Sequence, residues 1–309
     1  MDVAKLALKV PEVLLPGPGV DLHRWAVIAC DQYTSEPEYW DAVDRLVADR
    51  PSTLRLVFPE VYLEDAGGDA RIADINASMK QYLAEGVLVS HGPGFVLVDR
   101  KTSHVPSRKG LIVALDLEAY DYRPGSKTLI RTTEGTIVDR LPPRIRVREN
   151  AAIELPHIMV LIDDPEQTVI EPLCQAELEK IYDFELMQGG GHLRGWRVAQ
   201  PEQLEQVASA LGALAVKERF QKRYEVNDNE VMLYAMGDGN HSFATAKAIW
   251  EQLKSAASDP ADIMTHPARY ALVELVNLHD PGLEFEAIHR VVFDVSVDDL
   301  LARAEAYYQ

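Results

Sequence analysis

Cysteine is nearly missing from this 309-residue chain: Cys30 and Cys174 are its two, at a spacing that suits neither a disulfide framework nor a thiolate zinc site. A reducing cytoplasm is the setting this implies. Positive charge is also scarce. With 31 Lys and Arg against 49 Asp and Glu, the net charge of −18 repels nucleic acid and anionic lipid. No apolar run approaches the ~20 residues of a membrane-spanning helix, and the opening MDVAKLALKV lacks the apolar stretch of a secretory signal. The histidines are scattered without an HExxH or other paired spacing, so no structural zinc is expected. Neither GxGxxG after the first strand nor a GxxxxGKS or GxxxxGKT loop occurs, which removes the common nucleotide fingerprints.

What the chain does have is a 47% hydrophobic composition, enough to bury a full core. Its length suits a single large unit over 1–309, or two intimately packed lobes of about 1–150 and 151–309. WAVIA, around Ile28, reads as a short strand, followed by a polar loop and a helix to about Ala48. From Ala70 to Ala84, Ile72, Ile75, Met79 and Leu83 recur at three and four residues with Gly86 just beyond, which predicts a helix packed on a sheet. GFVLVDRK and GLIVALDLEAYDY read as strands able to pair antiparallel. HIMVLIDD reads as a buried strand, VIEPLCQAELEKIY as a helix, and FELMQGGGHLRGWRV as two strand pieces about the turn Gly189–Gly191. Pro201 opens a helix to about Arg223, with Leu204, Val207, Leu211 and Leu214 facing inward. ALVELVNL and HRVVFDV supply later strands. The closing DDLLARAEAYYQ is helical in pattern without a stop signal, as in a domain cut short. The mixture of hairpin-like and strand-turn-helix pieces predicts an α/β to α+β fold, a mixed sheet flanked by helices.

The clearest unit is VMLYAMGDGNHSFATAKAIWEQLK: a strand to Met236, a glycine-rich turn, and a helix from near Ser242. Gly237 and Gly239 let backbone approach a ligand, and a helix N-terminus offers unpaired N–H groups and partial positive charge, a geometry that suits phosphate. Ser242 can cap the helix, Asn240 and His241 offer donors, and Asp238 can take a metal, a ribose hydroxyl or an ammonium. The same residues also make an ordinary turn. A second segment runs Arg131, Thr132, Thr133, Glu134, Gly135, Thr136, then Asp139 and Arg140. Either arginine can contact phosphate or carboxylate bidentately, and a solvated loop with surface ion pairs is the plainer account. Asp31, Glu36 and Glu38 follow the first predicted strand, where a carboxylate can serve as base or bind magnesium, although acidic residues also favour helix starts for electrostatic reasons. Cys30 beside them reads as a small core residue before it reads as a nucleophile.

Together, TTEGTIVDRLPPRIRVRE and MGDGNHSFATAKA resemble the uncharacterised prokaryotic family called domain of unknown function 1015, through most of the chain. That family is similar to a distant branch of the ParB/sulfiredoxin-like superfamily, which includes CTP-hydrolysing partition proteins and a free-serine kinase. The resemblance implies a ParB/sulfiredoxin-like core with additional elements and nucleotide or phosphoryl chemistry. In such relatives a DGHHR-like or GxRR-like turn opening a helix binds phosphates. Here His241 carries over, but Asn240 and Ser242 stand where positive charge would be, leaving Arg131 or Arg140 as substitutes. An early acidic residue of the kinase maps to Asp31 or Glu36. The expectation is a small-molecule phosphotransferase or nucleotide hydrolase using magnesium with a nucleotide. Gly237, Gly239 and Ser242 would cradle phosphate, His241 and Arg131 would stabilise transferring charge, and Asp31 or Glu36 would act as base. A non-catalytic nucleotide- or metabolite-sensing module is the alternative, favoured by the missing basic residue. A DNA-partition role comes third, disfavoured by acidity.

Overall fold

The computed structural model describes residues 3–284 and 292–308. Its strands are β1 (Leu8–Lys9), β2 (Glu12–Pro16), β3 (Leu88–Pro93), β4 (Phe95–Lys101), β5 (Arg108–Asp116), β6 (Ile130–Arg131), β7 (Met159–Ile162), β8 (Glu179–Glu185), β9 (His192–Val198), β10 (Tyr234–Asp238) and β11 (Tyr270–Asn277). Its α-helices are α1 (Leu22–Trp25), α2 (Pro37–Val47), α3 (Gly68–Ala84), α4 (Leu141–Arg148), α5 (Pro201–Leu214), α6 (Lys217–Tyr224), α7 (Asn240–Ala256), α8 (Pro260–Ile263) and α9 (Val297–Tyr308).

The most apolar segments become the centre of one nine-stranded mixed sheet, ordered β6-β10-β7-β11-β5-β4-β9-β8 with β1 alongside β5. β6 with β10 and β7 with β11 run parallel; the other pairs are antiparallel. GFVLVDRK and GLIVALDLEAYDY pair antiparallel as expected, with Val96 opposite Ile112. Leu97, Leu111, Leu275 and Val160 line one buried face, against which α5 places Val207 and Leu211 and α7 places Phe243 and Trp250. Each such side chain, fully buried, is worth about 1.5–3 kcal/mol of transfer free energy. Strands from before and after residue 150 interleave in this sheet.

A second apolar cluster joins Trp25, Leu56, Phe58, Ile75, Met79, Tyr82 and Leu88. α3 packs on a sheet as its pattern suggested, the separate two-stranded β2–β3 ribbon, although Leu83 of that pattern stays exposed. The expected strand WAVIA is not a strand. Its Trp25 ends α1, and the following residues run as irregular chain anchored by side chains: Val27 N donates to Thr53 Oγ1 at 3.1 Å, while Ser52 and Thr53 hydroxyls donate to Trp25 O at 3.0 and 2.8 Å. Burial between the second and third clusters accounts for its apolarity.

The expected helix over VIEPLCQAELEKIY is also absent. Glu171–Gln175 forms a 3-10 turn, and Glu179 begins β8, because pairing with β9, Tyr182 opposite Gly195, outweighs local helix propensity. The helix from Pro201 breaks after Leu214 and resumes as α6. The expected strand HRVVFDV lies partly outside the described residues, and 292–295 are irregular. No helix of the described residues is long and apolar enough to cross a membrane.

Candidate functional site

Because β6 and β10 are parallel neighbours, with Ile130 opposite Tyr234, the two motif segments leave the sheet side by side at one edge. Thr133 Oγ1 donates to Met236 O at 2.7 Å, and the Thr132 hydroxyl sits 2.7 Å from Asn240 Oδ1 and 2.5 Å from Glu134 O. Asn240 Nδ2 completes the knot by donating to Glu134 Oε1 at 3.3 Å. The loop after β6 therefore wraps the start of α7.

That start is built by glycine. Gly239 is the N-cap at φ 80 and ψ 28, and a Cβ there would approach Ile158 to 3.2 Å. With glycine as cap, no side chain caps the helix. Ser242, expected as the cap, lies instead inside the first turn, and α7 begins two residues earlier than the pattern suggested. The first-turn N–H groups of Asn240, His241 and Ser242 have no intrahelical acceptor, so the positive end of a 17-residue helix carries donors that the helix itself does not satisfy.

Charged groups gather around this opening. Ile137 N donates to His241 Nε2 at 3.3 Å, which leaves Nδ1 as the protonated nitrogen of the neutral ring. Burial, then the positive charges of Arg144 and Arg140, hold the imidazole below its ordinary pKa, so it is neutral at pH 7. Arg144 reaches out of α4 to clasp Glu60 with two bonds of 3.0 and 2.6 Å, and Glu60 N donates to Cys30 O at 2.8 Å. This chain of contacts brings the 30–31 segment to the motif edge of the sheet. Asp238 keeps solvent access, yet the surrounding walls strip enough water to raise its carboxyl above the usual range, and the nearby Asp31 and Glu134 charges add to the rise. Its Oδ1 accepts from Gly239 N at 2.7 Å. His157 Nε2 lies 2.8 Å from Ser242 Oγ, a nitrogen base in reach of a hydroxyl on the helix's first turn.

The model of the family described as "Protein of unknown function (DUF1015)" matches residues 14–309. The chain belongs to that family. No curated protein and no solved structure matches it. In this DUF1015 chain, the sequence-derived candidates fall into three groups. Asp31, Thr132, Thr133, Glu134, Arg140, Gly237, Asp238, Gly239, Asn240, His241 and Ser242 converge on the α7 opening. Arg131 is committed elsewhere, its guanidinium donating to the carbonyls of Thr128, Lys127 and Glu230 at 2.9, 3.3 and 2.7 Å. Glu36 is the exposed N-cap residue of α2, where its placement matches the electrostatic preference for helix starts.

Three residues that sequence reasoning passed over also take part. Arg144 and His157 lie within segments quoted from the sequence, TTEGTIVDRLPPRIRVRE and HIMVLIDD, and only the fold shows which of several basic side chains turns inward. Glu60 carries no local signal at all. Cys30, half-buried, has its thiol pushed up to about 12, chiefly by burial and then by Asp31 and Glu60, which disfavours the thiolate. Two open surface recesses, of about 610 Å³ beside Lys127 and residues 226–230 and about 420 Å³ between α3 and α4, lie away from these groups and are wide to solvent. The convergent charges, not the size of those recesses, mark the site.

Proposed function

We propose that this DUF1015 protein binds a phosphate-bearing small molecule, a nucleotide first of all, at the N-terminus of α7 and transfers or hydrolyses its phosphoryl group. The observation that carries this reading is the uncapped first turn of α7, flanked by Arg140 and Arg144 and faced by Asp31 and Asp238. Phosphate oxygens would accept from the N–H groups of Asn240, His241 and Ser242, with the helix dipole favouring their charge. Neutral His241 would add a donor through Nδ1, and Arg140 would supply charge in place of the committed Arg131.

Asp238 is suited to take the proton of an attacking hydroxyl or water, since its raised pKa brings it closer to the working pH. Among the described residues no group of three or more His, Cys, Asp or Glu is arranged to hold a metal. Asp31 fits magnesium as it usually binds, through one or two carboxylates together with substrate phosphates, with Asp238 left free to take the proton. When bound, magnesium would supply neutralisation of phosphate charge.

The test is turnover: protein with magnesium, a nucleotide triphosphate and candidate acceptors, followed by phosphorus NMR. New phosphate species that disappear with Asp238→Asn support an enzyme. Binding without turnover would make the chain a sensing module, the second reading, favoured by the absence of an arginine from the DGNHS turn.

A further inference from the structure

We propose that Arg100 and Arg108, under the Gly189–Gly191 turn, form a second anion-binding recess, one that takes a carboxylate or phosphate group of a small molecule. Both residues are half-buried. They are direct cross-strand neighbours on β4 and β5, so two like charges face each other within the sheet, an arrangement that costs stability unless something offsets it. One carboxylate is present. Glu274 of β11 grips Arg108 Nη2 with bonds of 3.0 and 2.8 Å, lying flat over Gly110, where an added Cβ would come within 2.2 Å of Glu274 Oε1. Gly110 thus reserves the place of the single counter-charge.

Arg100 has no carboxylate of its own among the described residues; its Nη2 donates to Gly190 O at 3.0 Å. Burial first, then repulsion by Arg108, lowers its guanidinium pKa from the ordinary value, against the opposing pull of Glu274 and Tyr39. Arg108 Nε is buried without a hydrogen-bond partner. A cluster of two arginines, one carboxylate and an orphan donor is one anion short, and guanidinium forks match carboxylate and phosphate alike. The triglycine turn meets Arg100 through Gly190 O, and a Cβ on Gly190 would lie 3.5 Å from Ile28, on the segment leading to Asp31.

The recess is separate from the α7 opening, though it shares a sheet with it. Asp238, Met159 and Glu274 follow one register line across β10, β7 and β11, two strand spacings or roughly 10 Å.

The experiment uses the full chain carrying His241→Ala, so that binding at α7 is weakened, and follows inorganic phosphate and succinate by calorimetry. Saturable binding of either probe, weakened at least about 10-fold by adding Arg100→Gln and partly restored by Arg100→Lys, is the expected result. Phosphate alone, succinate alone or both then identifies the anion class. The inference is overturned if neither probe binds His241→Ala, or if Arg100→Gln leaves the affinity unchanged. Circular dichroism of each variant confirms folding, and Arg100→Lys carries the comparison if Arg100→Gln does not fold. Loss of both phosphate and succinate binding with His241→Ala alone would leave the α7 reading standing and sink this one.

Discussion

The Thr132 hydroxyl and the Asn240 carboxamide oxygen, 108 residues apart in sequence, lie 2.7 Å from each other. That contact fastens the loop leaving β6 to the first residue of α7, so the two motifs form one edge of a single site. It also holds Asn240 where its side chain serves the scaffold, while the backbone N–H groups of the first turn keep no intrahelical acceptor.

Asp238→Asn is expected to stabilise the protein while disabling it. The folded carboxyl has a raised pKa, so its ionised form is disfavoured in the native state. The penalty is absent below the ordinary carboxylate range and sets in as pH rises through the raised value. Thermal midpoints at pH 8 should be higher for the variant, the difference should close near pH 3, and turnover should fall about 10²–10⁴-fold. A lower midpoint at pH 8 would contradict the assignment.

Gly239→Ala is expected to cost about 1–3 kcal/mol in urea unfolding, from a left-handed N-cap and a Cβ pressed against Ile158. Nucleotide affinity should drop with it, since the first turn would tilt. An unchanged unfolding midpoint would mean that the turn tolerates the side chain.

How far the sequence could be read follows from where the information sits. Strand and helix periodicity is local, so the β4–β5 pair, α5, α7 and the GDGNHS turn are legible in the chain. Ala26 to Cys30 and Glu179 to Glu185 misled because apolar character reports burial without saying by what: the first is packed by helices and hydroxyl anchors, the second by pairing with β9. The parallel β6–β10 contact joins the motifs and is non-local. Glu60 enters through Arg144 alone, a pairing that no spacing encodes. Arg131 had the right chemistry in the right segment, and three carbonyls claimed it.

Arg144→Gln is expected to raise the titration midpoint of His241 in proton NMR, since one of the two cations depressing it is removed. The same variant leaves half-buried Glu60 unpaired, so a loss of about 1–3 kcal/mol should accompany it. A His241 midpoint that does not move would place Arg144 outside the site.

Asp163, away from the site, offers a control. Burial would raise its pKa, but hydrogen bonds from Arg223, Tyr224 and His279 hold it at about 2, against an ordinary 3.8. Its contribution is therefore present above about pH 4 and is lost as pH falls toward 2. Asp163→Asn should cost about 1–2 kcal/mol at pH 7, allowing for partial exposure, and little at pH 2, with turnover unaffected.

The most direct measurement is the thermal midpoint of the protein with ATP, CTP and pyrophosphate, with and without magnesium, beside His241→Ala. A ligand at a hundredfold excess over its dissociation constant adds about 2.7 kcal/mol to native stability. A clear rise with one of these phosphates, lost in the His241→Ala protein, is the expected result. A midpoint that none of them moves, or a rise of equal size in the variant, would contradict phosphate binding at the opening of α7.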